Sequence, residues 1–62
     1  MNAVRRKKLE DIRGDLALLL DEEQRAYDNL PESIQAGSKG EKMDETICQI
    51  QSAIDELEAI DA

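Results

Sequence analysis

Cys48 is the strongest potential nucleophile in this 62-residue sequence, and no histidine exists anywhere in the chain to activate it. A thiol becomes a catalyst when a base or a cation lowers its pKa, and a free cysteine without one usually behaves as a small apolar side chain. Its position between two apolar rows of a helix, or at their edge, predicts that packing role for Cys48. Carboxylate pairs such as Glu22 with Glu23 and Asp55 with Glu58 have the chemistry to hold a hard cation. They lack the spacing of a calcium loop and the Glu-x-x-His pattern of di-iron helices, so a solvated acidic face is the expectation. Gly37-Ser38-Lys39-Gly40 lacks the spacing of a phosphate-binding loop. The sequence therefore predicts no catalytic residue, no metal ligand and no cofactor.

Anion binding is the one ligand chemistry with candidates. Arg5, Arg6, Lys7 and Lys8 form a basic run, of which Arg5, Arg6 and Lys8 are the candidate ligands. Consecutive helical positions fan around the axis, so about two of them can face any one ligand. The competing reading is neutralisation of acidic Asp55, Glu56, Glu58 and Asp61 at the far end of the chain. A second group, Asn29, Ser33, Ser38 and Lys39, gathers near two expected helix N-termini, whose free N–H groups attract anions. Those side chains could equally serve only as caps.

The elements that position these residues are two long helical segments and a junction. From Leu9 the positions Leu9, Ile12, Leu16, Leu19, Glu23, Ala26 and Leu30 alternate in steps of three and four, the pattern of one helical stripe. Leu20 and Tyr27 widen the stripe, and Leu18 points away from it. Glu23 interrupts it. Either the face is rotated toward Leu20 and Tyr27, with Glu23 at its rim, or Glu23 is a buried polar position that fixes register. Gly14 inside this helix marks a possible close approach of another helix. The predicted helix runs from about residue 3 to 28.

Residues 29 to 41 contain the only proline and two of the three glycines. Asn29-x-x-Glu32 and Ser38-x-x-Glu41 both read as capping boxes, and Gly37 as a stop between them. The spacing predicts a short helical cap over 30–36, with Leu30 and Ile34 on one face to plug the end of a hairpin. The second long helix is predicted over 39–60. Met43, Ile47, Ile50, Ile54 and Leu57 form its main stripe, and Thr46, Ala53 and Ile60 a second row beside it. The fold predicted for residues 1–62 is a single all-α domain, an antiparallel helical hairpin.

Composition then bears on assembly. A chain this short buries about 60% of its unfolded surface and is marginal alone. One cysteine and no histidine leave no disulfide or zinc staple, so self-association is the remaining route. The two rows of the second helix make a stripe broader than one partner helix can cover. A homo-oligomeric helical bundle is expected, with Leu16, Leu20, Tyr27, Met43, Thr46, Ile47, Ile50, Ala53, Ile54, Leu57 and Ile60 as the oligomer or partner interface. Net charge is −7, distributed as +3 over residues 1–14, −5 over 15–37 and −5 over 38–62. That balance disfavours direct nucleic-acid binding and anionic membranes. A single unpaired cysteine and the lack of a long apolar run predict a cytoplasmic protein without a membrane span.

The segment from Glu22 to Gln35, with Tyr27-Asp28-Asn29-Leu30-Pro31-Glu32-Ser33 at its centre, resembles a group of small helical proteins found in phages and prophages of bacteria. Ser38, Gly40-Glu41-Lys42, the run from Ala53 to Ile60 and a basic helix start extend the resemblance over nearly the whole chain. This chain differs from many of them in its short tail. The resemblance implies a phage accessory protein in the host cytosol that binds or inhibits a host component of defence or regulation. Two other readings compete: an oligomeric sponge for a small nucleotide-like anion, and an acidic mimic of DNA.

Overall fold

The computed structural model describes residues 2–60 and contains three helices, α1 (Ala3–Asp28), α2 (Glu32–Gln35) and α3 (Ser38–Glu58). Placed end to end, the 26 residues of α1 and 21 of α3 would span about 70 Å at the helical rise. The longest dimension is 48 Å, so the chain folds back on itself and α3 lies along α1. The hairpin architecture predicted from periodicity is present. At 15 by 10 Å across, it is a layer one helix thick.

Helix α1 begins where Asn2 leaves the helix: its side-chain oxygen accepts from the N–H of Arg5 at 2.9 Å. This is an N-cap of the Asx type, which supplies an acceptor to one of the four N–H donors a helix start leaves unpaired. Asn29 ends the helix as its C-cap, with its N–H donating to the Arg25 carbonyl at 3.0 Å. Asn29 is therefore not the start of the next helix, and its expected capping box does not form. The cap of α2 is Pro31, whose carbonyl accepts from Ile34 at 2.9 Å and Gln35 at 3.0 Å. Ser38 is likewise not an N-cap. Gly37 takes that place in extended backbone, at φ −87° and ψ −175°, and Ser38 is the first helical residue. Gly37 ends no helix in left-handed geometry; α2 ends at Gln35, with Ala36 as its C-cap.

The inner stripe of α1 is Leu9, Arg13, Leu16, Leu20, Glu23, Tyr27 and Leu30, all half-buried. This corrects the stripe expected through Ile12, Leu19 and Ala26, which are exposed. The face is rotated toward Leu20 and Tyr27, as one of the two readings of Glu23 had it. The inner stripe of α3 is Gly40, Met43, Ile47, Ile50, Ile54 and Leu57, as the spacing predicted from Met43 onward. Ile54, at 6% exposure, is the one buried large apolar side chain among the described residues. Beyond the stripe Thr46 and Ile60 are exposed, and α3 stops at Glu58, two residues short of the expected end.

At the junction, Gly40 is buried beneath α2. A Cβ built on it would overlap the Gln35 carbonyl, so this is the position where the fold requires glycine. Gln35 adds a second tie: its side-chain nitrogen donates to the Tyr27 carbonyl at 2.9 Å, which also accepts from the Leu30 N–H at 3.0 Å at the end of α1. Ile34 does not plug the hairpin. It is 41% exposed, while Leu30 is half-buried. Gly14 faces open space, with nothing within 4 Å of a Cβ added there, so it marks no close approach.

Candidate functional site

Cys48 is exposed on α3, contrary to the packing role expected of it. It stands one position beyond Ile47 and so falls off the inner stripe. It borders an open groove of about 670 Å³ between the helices, lined by Ala17, Leu20, Asp21, Gln24, Ile47, Cys48, Gln51 and Ser52. Three of the polar side chains there are engaged along their own helices. Asp21 pairs with Arg25 at 3.1 Å, Gln24 donates to Asp28 at 3.0 Å, and Gln51 donates to Asp55 at 3.0 Å. None of these contacts presents a base to the thiol. Three or more potential metal-ligating side chains do not cluster anywhere among the described residues.

The candidate anion ligands fall into two groups at opposite ends of the molecule. Arg5, Arg6 and Lys8 occupy the first turns of α1, and Asn29, Ser33, Ser38 and Lys39 the junction, about 39 Å away along α1. Within one chain they cannot meet on one ligand. At the junction α2 is a single turn of four residues, and the start of α3 lies partly under it at Gly40. The N–H of Glu41 is used by the Gly37 carbonyl at 3.0 Å. At the basic end Lys7 turns along its own helix to Asp11 at 3.0 Å, and this hydrogen bond raises the Lys7 pKa above its ordinary value. The ion pairs formed by Lys7 and by Arg25 are both one helical turn apart within α1. The expected neutralisation of the C-terminal acids is not what either of these cations does, and Asp61 lies outside the described residues.

The apolar candidates are sorted by the fold into two sets. Leu16, Leu20, Tyr27, Met43, Ile47, Ile50, Ile54 and Leu57 lie on the stripes with which α1 and α3 face each other. They hold the hairpin together. Thr46 and Ile60 lie outside this seam, with Ala53 half-buried at its edge. The Thr46 hydroxyl donates back to the Lys42 carbonyl at 3.0 Å, which leaves its methyl group as the available surface. Ile12 (53% exposed) and Leu19 (45%) join this outer set, and Leu18 (66%) points to solvent as expected.

Sequence reasoning missed Arg13, Gln35 and the burial of Gly40. Arg13 was legible in principle, since it stands four residues after Leu9 and three before Leu16. Gln35 and Gly40 left no local signal.

Fold and surface together define a class of architecture, a two-helix hairpin with an unusually small interior. Comparison with protein families, with curated proteins and with solved structures gives no match in any of the three. No helix among the described residues is long and apolar enough to cross a membrane.

Proposed function

We propose that this chain is a non-enzymatic accessory protein of the phage type that self-associates and acts by binding a host protein of defence or regulation. The observation that carries self-association is the interior: among the described residues Ile54 is the one buried large apolar side chain, while Val4, Ile12, Leu18, Leu19, Ile34 and Ile60 stay exposed. A layer one helix thick buries each helix on one side only, and a second layer is what usually completes such a core. The acidic surface and the absence of a base beside Cys48 support a binding role over a catalytic one. The resemblance of the Tyr27 to Ser33 segment to phage proteins supports the host-directed reading.

The sponge reading is weaker on geometric grounds. Its two groups of anion ligands stand at opposite ends of the hairpin, so a nucleotide-like anion would have to be held by groups from two chains.

The test is the mass in solution at micromolar concentration. An oligomer with cooperative thermal unfolding is expected; a well-folded monomer overturns self-association. The host arm is read by co-purification from host lysate at a fixed stoichiometry, and a chain that retains nothing stoichiometric overturns it.

A further inference from the structure

The two sides of the hairpin differ in charge. Ala17 and Gln24 follow the α1 stripe residues Leu16 and Glu23 by one position, as Cys48 and Gln51 follow Ile47 and Ile50 in α3, and all four line the groove. Reversing one helix of an antiparallel pair reverses its sense of rotation, so the row just after the stripe lies on the groove side along both helices. In α1 that row carries Glu10, Asp21 and Asp28; in α3 it carries Glu41, Asp44, Asp55 and Glu58. Lys7, one turn before Glu10, is its one base. The row just before the stripe, on the far side, is balanced: Lys8, Lys39 and Lys42 stand against Asp15, Glu22 and Glu56.

The groove between these acidic rows has an apolar floor of Ala17, Leu20 and Ile47 and is open over about 670 Å³. From Ala17 to Gln24 it runs about 11 Å along α1, the length of about two turns of a docked helix. Asp28 and Asp55 accept from the neutral amides of Gln24 and Gln51, contacts that leave their negative charge in place. Asp21 meets Arg25 one turn further along α1. An apolar floor between two acidic rims is complementary to an amphipathic helix whose apolar stripe is flanked by lysine or arginine, because flanking charges choose the partner of a packed helix. A second copy docking by this same side would set acid against acid.

We infer that the groove receives a basic amphipathic helix of a partner protein, with Ala17, Leu20, Ile47 and Cys48 under its apolar stripe and Asp28, Asp44 and Asp55 against its cationic flanks. This rests on the protein-binding role proposed above and names its surface and the partner's chemistry.

The probe is a helical peptide of about 14 residues, about 21 Å long, with leucines at helical spacing and lysines on both flanks. Its control carries glutamates in place of the lysines. Calorimetry reads binding, and the rate of Cys48 alkylation by iodoacetamide reads whether the groove is covered. The lysine peptide should bind one per chain, more weakly as salt rises. At roughly ten times its dissociation constant it should slow alkylation about tenfold, and the glutamate peptide should do neither. The triple change Asp28→Asn, Asp44→Asn and Asp55→Asn should weaken binding about tenfold or more, whereas Asp15→Asn, Glu22→Gln and Glu56→Gln, which remove as much charge from the far side, should change it less than about twofold. Circular dichroism checks that both variants keep their helices. A lysine peptide that does not bind, that binds and leaves Cys48 as reactive as before, or that is weakened equally by both triple changes overturns the groove. A host protein retained alike by both triple variants would leave the binding role standing without this surface. A groove that passes the peptide tests while no host protein is retained at fixed stoichiometry overturns the host role alone.

Discussion

Gly40 of α3 lies directly against the main chain of Gln35 in α2, with no room for a Cβ between them. This contact decides how closely the junction crosses the start of α3. The Gln35 side chain reaches in the other direction, to the Tyr27 carbonyl at 2.9 Å, so one residue ties the junction to both long helices. The junction is a structural clamp.

The three glycines should therefore respond differently to the same change. Gly40→Ala should destabilise the hairpin by about 2 kcal/mol or more, because backbone must move to admit the methyl group. Gly37→Ala should be close to neutral, since its Cβ would meet the Ile34 carbonyl at an ordinary 3.5 Å. Gly14→Ala should stabilise by roughly 1 kcal/mol through helix propensity. Thermal unfolding of the three variants checks the order, and an equal response of Gly40 and Gly14 would contradict the clamp.

Ile54 should be the costliest apolar truncation in the chain. Ile54→Ala is expected to lose about 2 kcal/mol, the lower end for a buried isoleucine because a thin hairpin relaxes around the space. Ile60→Ala, at an exposed position, should cost little within the hairpin itself. Urea titration at a fixed chain concentration separates the two.

Glu23 stands half-buried on the inner stripe between Leu20 and Tyr27. Glu23→Leu should raise stability by about 1 kcal/mol by replacing a partly desolvated acid with an apolar side chain. A loss of stability, or a change in oligomer mass, would show instead that Glu23 sets register.

The Asn2 cap predicts its own loss. Asn2→Ala should remove about 1 kcal/mol by freeing the Arg5 N–H. Hydrogen exchange should accelerate most in the first turn of α1, and at Ile54 by no more than the loss of global stability allows.

Lys7 gives a pH prediction. Its pKa is raised in the folded chain by the hydrogen bond to Asp11, so its contribution is complete below the unfolded lysine pKa. It is lost as pH rises through the higher folded value. Lys7→Gln should therefore differ from the parent near neutrality by a small margin, the pair being exposed, and converge with it in strong alkali. Melting curves of both proteins across that range provide the check.

Helix extents came through from sequence because they depend on local terms. Nothing between Ala3 and Asp28 breaks a helix, and the Met43 to Leu57 spacing admits a single stripe. The rotation of α1 was different. Leu18, Leu19 and Leu20 are consecutive, so its periodicity allows more than one inner face, and only packing against α3 selected Leu20 and Tyr27. Cys48, by contrast, is exposed because it stands one position off the single α3 stripe.

The sequence by itself determined two helices, a broken junction and a surplus of apolar rows, since propensity and spacing act over a few residues. Tertiary structure alone decided which rows face inward and put Gly40 beneath Gln35. Both relationships depend on how two distant segments cross, whereas the separation of the basic turns from the Asn29 to Lys39 cluster follows from the length of α1 alone.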